Sequence, residues 1–81
     1  MTEEMRKDFL ALVAEYGDVP VEEVTMEMRF REDLGFNSLN FMTFLGDLED
    51  LLDIEIDAEK VVELSTVEDA IEYAEELVAE Q

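Results

Sequence analysis

Three apolar stripes at helical spacing, with no strand-like alternation to compete with them, restrict this chain more than anything else in it. Met5, Phe9, Leu12, Val13 and Tyr16 recur at i, i+4, i+7, i+8 and i+11. That spacing predicts an amphipathic helix, with Thr2 as its N-cap and Gly17 as its stop. A second helix is expected from about Ser38 to Leu52, capped by Asn37. The last opens with Ser65-Thr66-Val67-Glu68, read as a capping box between Ser65 and Glu68. Its stripe is Val67, Ala70, Ile71, Ala74, Leu77 and Val78. A shorter helical segment, 58–63, follows Asp57 as cap.

Residues 17–37 hold the chain's one Pro (Pro20) and two of its three Gly, so they read as a connection between helices. Val19, Val21, Val24, Met26, Met28, Phe30 and Leu34 make this stretch too apolar for a free loop, and it is expected to pack over the core. A long structured loop in a small domain is more often functional than filler. The expected fold is all-α: a small four-helix bundle of three long helices and one short, in a single domain spanning 1–81.

Eighty-one residues leave little length for a second core. Apolar residues make up 48%, enough to drive folding despite the charge. That charge is −19, from 24 acids against five bases. It disfavours nucleic acid and anionic membrane surfaces and favours basic protein partners. An acidic coat that only maintains solubility is the plainer reading. With no Cys, disulfides and thiolate metal sites are impossible. Neither a secretory N-terminus nor a long apolar run appears, so a cytoplasmic monomer is expected.

At 100° per residue, Phe41, Phe44, Leu45, Leu48, Leu51 and Leu52 share one arc of the second helix, its expected buried face. Leu39 and Met42 fall on the other side, among Thr43, Gly46, Glu49, Asp50 and Asp53. They either form a contact surface for a partner that is basic around an apolar centre, or tuck under the long loop. Ser38, in the first turn, lies where the helix dipole welcomes an attached anion. The chain has no His, which excludes a Ser-His dyad. Ser38 is then a passive helix-start residue or one that another enzyme modifies. Asp47, Asp50, Asp53 and Asp57 do not make a calcium loop, because core residues interrupt them.

Val24-Thr25, Phe30, Glu32-Asp33-Leu34-Gly35 and Asn37-Ser38-Leu39 together resemble the acyl carrier protein family. The resemblance continues through Leu48-Glu49-Asp50, Asp53-Ile54-Glu55-Ile56 and Thr66-Val67-Glu68-Asp69-Ala70-Ile71, in order, over nearly the whole chain. It implies a non-catalytic carrier whose Ser38 receives a 4′-phosphopantetheine arm from coenzyme A through a phosphopantetheinyl transferase. The arm's thiol would hold acyl groups as thioesters and supply the sulfur that the chain lacks. The second helix would dock on basic patches of acyl-loading and acyl-processing enzymes in fatty acid, polyketide or related biosynthesis. Asn37, Leu39, Asn40, Met42, Gly46, Glu49 and Asp50 are the expected docking residues, and Phe41, Leu48, Leu52 and Ile56 the expected acyl-pocket residues. No metal site is expected. An acidic interaction domain never modified at Ser38 is the alternative.

The chain departs from the family signature Leu-Gly-x-Asp-Ser-Leu in having Asn37 for the Asp. Asn40 replaces another position that is usually acidic or polar, and Gly46 one that is usually larger and apolar. Phe36, Phe41 and Phe44 make the serine's surroundings unusually aromatic. The resemblance does not separate a housekeeping carrier from a dedicated one.

Overall fold

Each helix starts where a side chain is able to satisfy its first free amides, and the computed structural model, which describes residues 2–80, makes those starts explicit. Helix α1 spans Glu3–Gly17, α2 Ser38–Leu52, α3 Ala58–Val61 and α4 Val67–Ala79. The architecture is the all-helical bundle expected from the stripes, with a 3-10 turn at Val21–Glu23 in the long connection. Val21, at the start of that turn, is 44% exposed and does not pack over the core as its loop neighbours do.

Thr2 caps α1 by accepting the Met5 N–H at 3.1 Å, and Glu3 and Glu4 place carboxylates at the positive end of the dipole. The stop is Asp18, not Gly17. Asp18 takes the left-handed conformation (φ 56°), while Gly17 is the last helical residue. Gly17 is small for another reason: a Cβ there would lie 3.0 Å from Leu34 Cδ2, so the loop packs directly on its backbone.

In α2, Phe44, Leu45, Leu48 and Leu52 are buried as expected, and Phe41 is half-buried. Leu51 is not part of the buried face; it is 44% exposed. It lies about 80° from Phe41 on the wheel, at the rim of the arc. Helix α3 is shorter than expected. Asp57 caps it by accepting the Glu59 N–H at 2.9 Å.

The capping box of α4 is Thr66 with Asp69, one residue later than the Ser65–Glu68 pairing expected. The long loop decides this register. Phe30 N–H donates to Ser65 O, and the first amides of α4, on Val67 and Glu68, donate to Met28 O and Met26 O, each at 3.0 Å. An isolated antiparallel bridge joins Arg29 to Thr66 within the same contact. Asp69 then closes the end, accepting from the Ser65 and Thr66 amides and the Ser65 hydroxyl. Those donors, the Ser65 amide first, hold its carboxyl below the usual range.

Phe9, Val13, Phe44 and Val67 are the most deeply buried large side chains. Around them the rings of Phe30, Phe36, Phe41 and Phe44 pack with centroids 5.2–6.1 Å apart, in tilted, edge-on and stacked pairs. The loop thus contributes two rings to the core, and α2 contributes two. Tyr16 joins the cluster from α1 and donates its hydroxyl to Asp47 of α2. That bond, ahead of burial and the carboxylate's charge, pushes the phenol up to about 12.

Candidate functional site

Ser38 is placed by the three residues before it. Gly35 turns the chain at φ +70°, a conformation that costs glycine little and other residues more. Phe36 is then driven into the core, 4% exposed, with its N–H on Phe30 O at 2.8 Å. Asn37 follows in extended conformation and starts the helix. Its side-chain oxygen accepts the Asn40 N–H at 2.9 Å, and Asn40 Oδ1 accepts the Asn37 N–H at 2.6 Å. Anchor, cap and first helical residue are consecutive, so Ser38 has little backbone freedom. Its side chain is exposed, and no hydrogen bond holds its hydroxyl among the described residues.

A cleft of about 490 Å³ opens beside it. Phe30, Phe36 and Phe41 contribute aromatic surface, Val61, Val62 and Leu64 come from α3 and the segment after it, and Asn37, Ser38 and Met42 line the α2 side. Arg29, Arg31, Glu32 and Ser65 complete the lining. The loop side is braced by a tight turn. Asp33 and Leu34 amides donate to Arg29 O at 3.0 and 3.1 Å, and Arg29 N–H donates to Asp33 Oδ2 at 2.8 Å.

The expected docking residues take up different positions. Leu39 and Met42 are 79% and 56% exposed, so neither is tucked under the loop. Gly46 and Asp50 are also exposed on α2. Asn40 is half-buried and engaged in the capping box, and Glu49 is half-buried with its carboxylate accepting the Ile56 N–H at 2.7 Å. Of the expected acyl-pocket residues, Phe41 lines the cleft. Leu48 and Leu52 instead lie in the core, 2% and 3% exposed, and Ile56 packs against it, so none of the three borders the cleft.

Sequence reading missed the contribution of Arg29, Arg31, Val61, Val62 and Leu64. The arginines carried a usable signal. Two of five bases fall within three residues of one another, on either side of a core Phe.

A family model described as "Phosphopantetheine attachment site" matches residues 7–74. Curated relatives agree with it. A protein named "Acyl carrier protein" from Exiguobacterium sp. is 41% identical over 73 residues, covering 90% of this chain and 92% of that one. Same-named proteins of Exiguobacterium sibiricum and Rubrobacter xylanophilus are 34% and 35% identical, covering 90% and 91% of this chain and 92% and 91% of their own. The chain belongs to the acyl carrier protein family.

Acyl carrier proteins are carriers and not enzymes, and their working group is a covalently attached 4′-phosphopantetheine. The residues here fit such a group. An exposed, unbonded hydroxyl stands at the edge of a cleft with room beside it and an arginine-bearing rim. Membership implies service to a phosphopantetheinyl transferase and to acyl-processing enzymes. Among the described residues, no helix is long and apolar enough to cross a membrane.

Proposed function

We propose that Ser38 is the residue that takes the phosphopantetheine arm, and that the outer face of α2 presents the loaded chain to its partner enzymes. The observation carrying this reading is the Ser38 hydroxyl itself, exposed and without a hydrogen bond among the described residues, at the family's signature position. When bound, the group supplies the thiol on which acyl cargo travels as a thioester. This chain's part in loading is to hold Ser38 Oγ outward. The hydroxyl loses its proton to a base on the transferase and bonds to the pantetheine-bearing phosphorus of the coenzyme A diphosphate, while the bond from that phosphorus to the bridging oxygen breaks and adenosine 3′,5′-bisphosphate leaves. Asn37 and Phe36 keep the Ser38 backbone at a fixed place on the surface during the transfer.

Leu39 and Met42, with Gly46 and Asp50 further along α2, give a partner an apolar centre within acidic surroundings. A basic enzyme surface complements that arrangement. The same −19 charge supports a chain that works as a monomer and avoids nucleic acid. Cargo from fatty acid, polyketide or related biosynthesis fits an apolar cleft of this size.

Ser38→Ala separates this reading from an unmodified interaction domain. Ser38 lies one residue inside an intact Asn cap, so the variant should melt like wild type. Incubated with coenzyme A and a broad-specificity transferase, wild type should gain the mass of one arm and the variant none. An arm retained on Ser38→Ala would place the attachment elsewhere.

A further inference from the structure

The carrier role leaves two arginines unexplained. Arg29 and Arg31 both line the cleft beside Ser38, in a chain with five bases against 24 acids. Arg29 is committed, because its guanidinium pairs with Glu32 at 2.5 Å and its charge is offset there. Arg31 has neither an ion pair nor a hydrogen bond among the described residues. An unneutralised cation therefore shares one cleft with an unbonded serine hydroxyl. Its backbone position is fixed, since Arg31 follows Phe30, which is 3% exposed, and lies inside the turn closed on Arg29 O.

We propose that Arg31 pairs with the phosphodiester of the arm carried on Ser38, and so holds the first part of the arm in the cleft. This rests on Ser38 being the attachment residue. A phosphodiester is an anion at neutral pH, and a chain of −19 repels it from almost everywhere. The cleft is the exception, lined by two arginines against one glutamate. A guanidinium presents two parallel donors that match two phosphate oxygens, which a lysine ammonium does not. The cleft's 490 Å³ also falls within the roughly 300–1,000 Å³ of sites that enclose a small ligand. Held at its phosphate, the arm would divide its time between lying in the cleft and extending toward a partner.

The experiment uses fully loaded wild type, Arg31→Gln, Arg31→Lys and Arg6→Gln, with loading verified by intact mass. Arg6 sits on α1 outside the cleft, so its variant removes the same charge elsewhere. The phosphorus-31 chemical shift of the arm and the alkylation rate of its thiol are recorded at low and high salt. In wild type the phosphorus resonance should move with salt, and Arg31→Gln should already sit near the high-salt position. The thiol of Arg31→Gln should react roughly two- to fivefold faster, the range of an exposed ion pair. Arg31→Lys should fall between the two, and Arg6→Gln should match wild type. Equal shifts and rates in wild type and Arg31→Gln would overturn the proposal, as would an Arg6→Gln that behaves like Arg31→Gln. A Ser38 that never gains the arm would instead defeat the attachment reading, so the two failures are separable by mass alone.

Discussion

Gly46 lies on the outer face of α2 with nothing within 4 Å of where a Cβ would sit. The fold gives no steric reason for glycine there, and its φ is not positive. Gly46→Ala should therefore stabilise the protein by about 0.5–1 kcal/mol, read as a rise of a few degrees in the melting temperature. A fall would mean that the site is tighter than its geometry. Asn37 poses the opposite case, a neutral residue whose side chain has a structural role as the cap of α2. Only its Oδ1 is used, accepting the Asn40 N–H, and an Asp carboxylate does the same. Asn37→Asp should barely move the melting temperature. It should raise kcat/KM for arm transfer by a generic transferase about five- to thirtyfold, the effect of a charge-assisted contact of about 1–2 kcal/mol. An unchanged or lower value would mean that the transferase reads the amide. Asn37 as cap was legible in sequence because Asn before an apolar stripe is a strong start signal. The role of Asn40 was not. Its reciprocal bond to Asn37 replaces the Glu or Gln of an ordinary capping box, and from sequence it reads only as a missing charge.

At the scale of one helix, α2 carries two faces with different work. Leu45, on the inner face, is 6% exposed, whereas Met42, on the outer, is 56% exposed. Leu45→Ala should cost about 2–5 kcal/mol, as core truncations do. Met42→Ala should stay within about 0.5 kcal/mol, the range of most surface changes. Urea melts of both variants check this, and a larger loss at Met42 would make it a core residue. The wheel separated these two correctly although they lie only about 60° apart, because Leu45 falls inside the apolar arc and Met42 beyond its edge. It misjudged Leu51 because periodicity gives direction without saying what covers the rim. The start of α4 was misjudged for a related reason. Ser65 and Glu68 satisfy the local rule as well as Thr66 and Asp69 do, and the choice is made by the loop carbonyls of Met26 and Met28. The cleft was legible only in part. Ser38 and Phe41 are near in sequence, but Arg31 and Val61 meet them only through the fold.

The whole molecule carries −19 on principal extents of 31 × 27 × 19 Å. Self-repulsion at that density opposes compactness, and ions that screen it favour the folded state. The melting temperature at neutral pH should rise from low salt to physiological ionic strength, and further with magnesium. Melts with no upward shift would show that the native and unfolded chains feel the charge equally. The link between the long loop and α4 has a consequence for the motions of the whole. The amides of Phe30, Val67 and Glu68 interlock two segments almost 40 residues apart, so these bonds are expected to open together. In deuterated water they should exchange at a common rate, set by one shared opening. The loop that frames the serine would then be as slow to breathe as the last helix, and the site's rigidity would be borrowed from the far end of the chain.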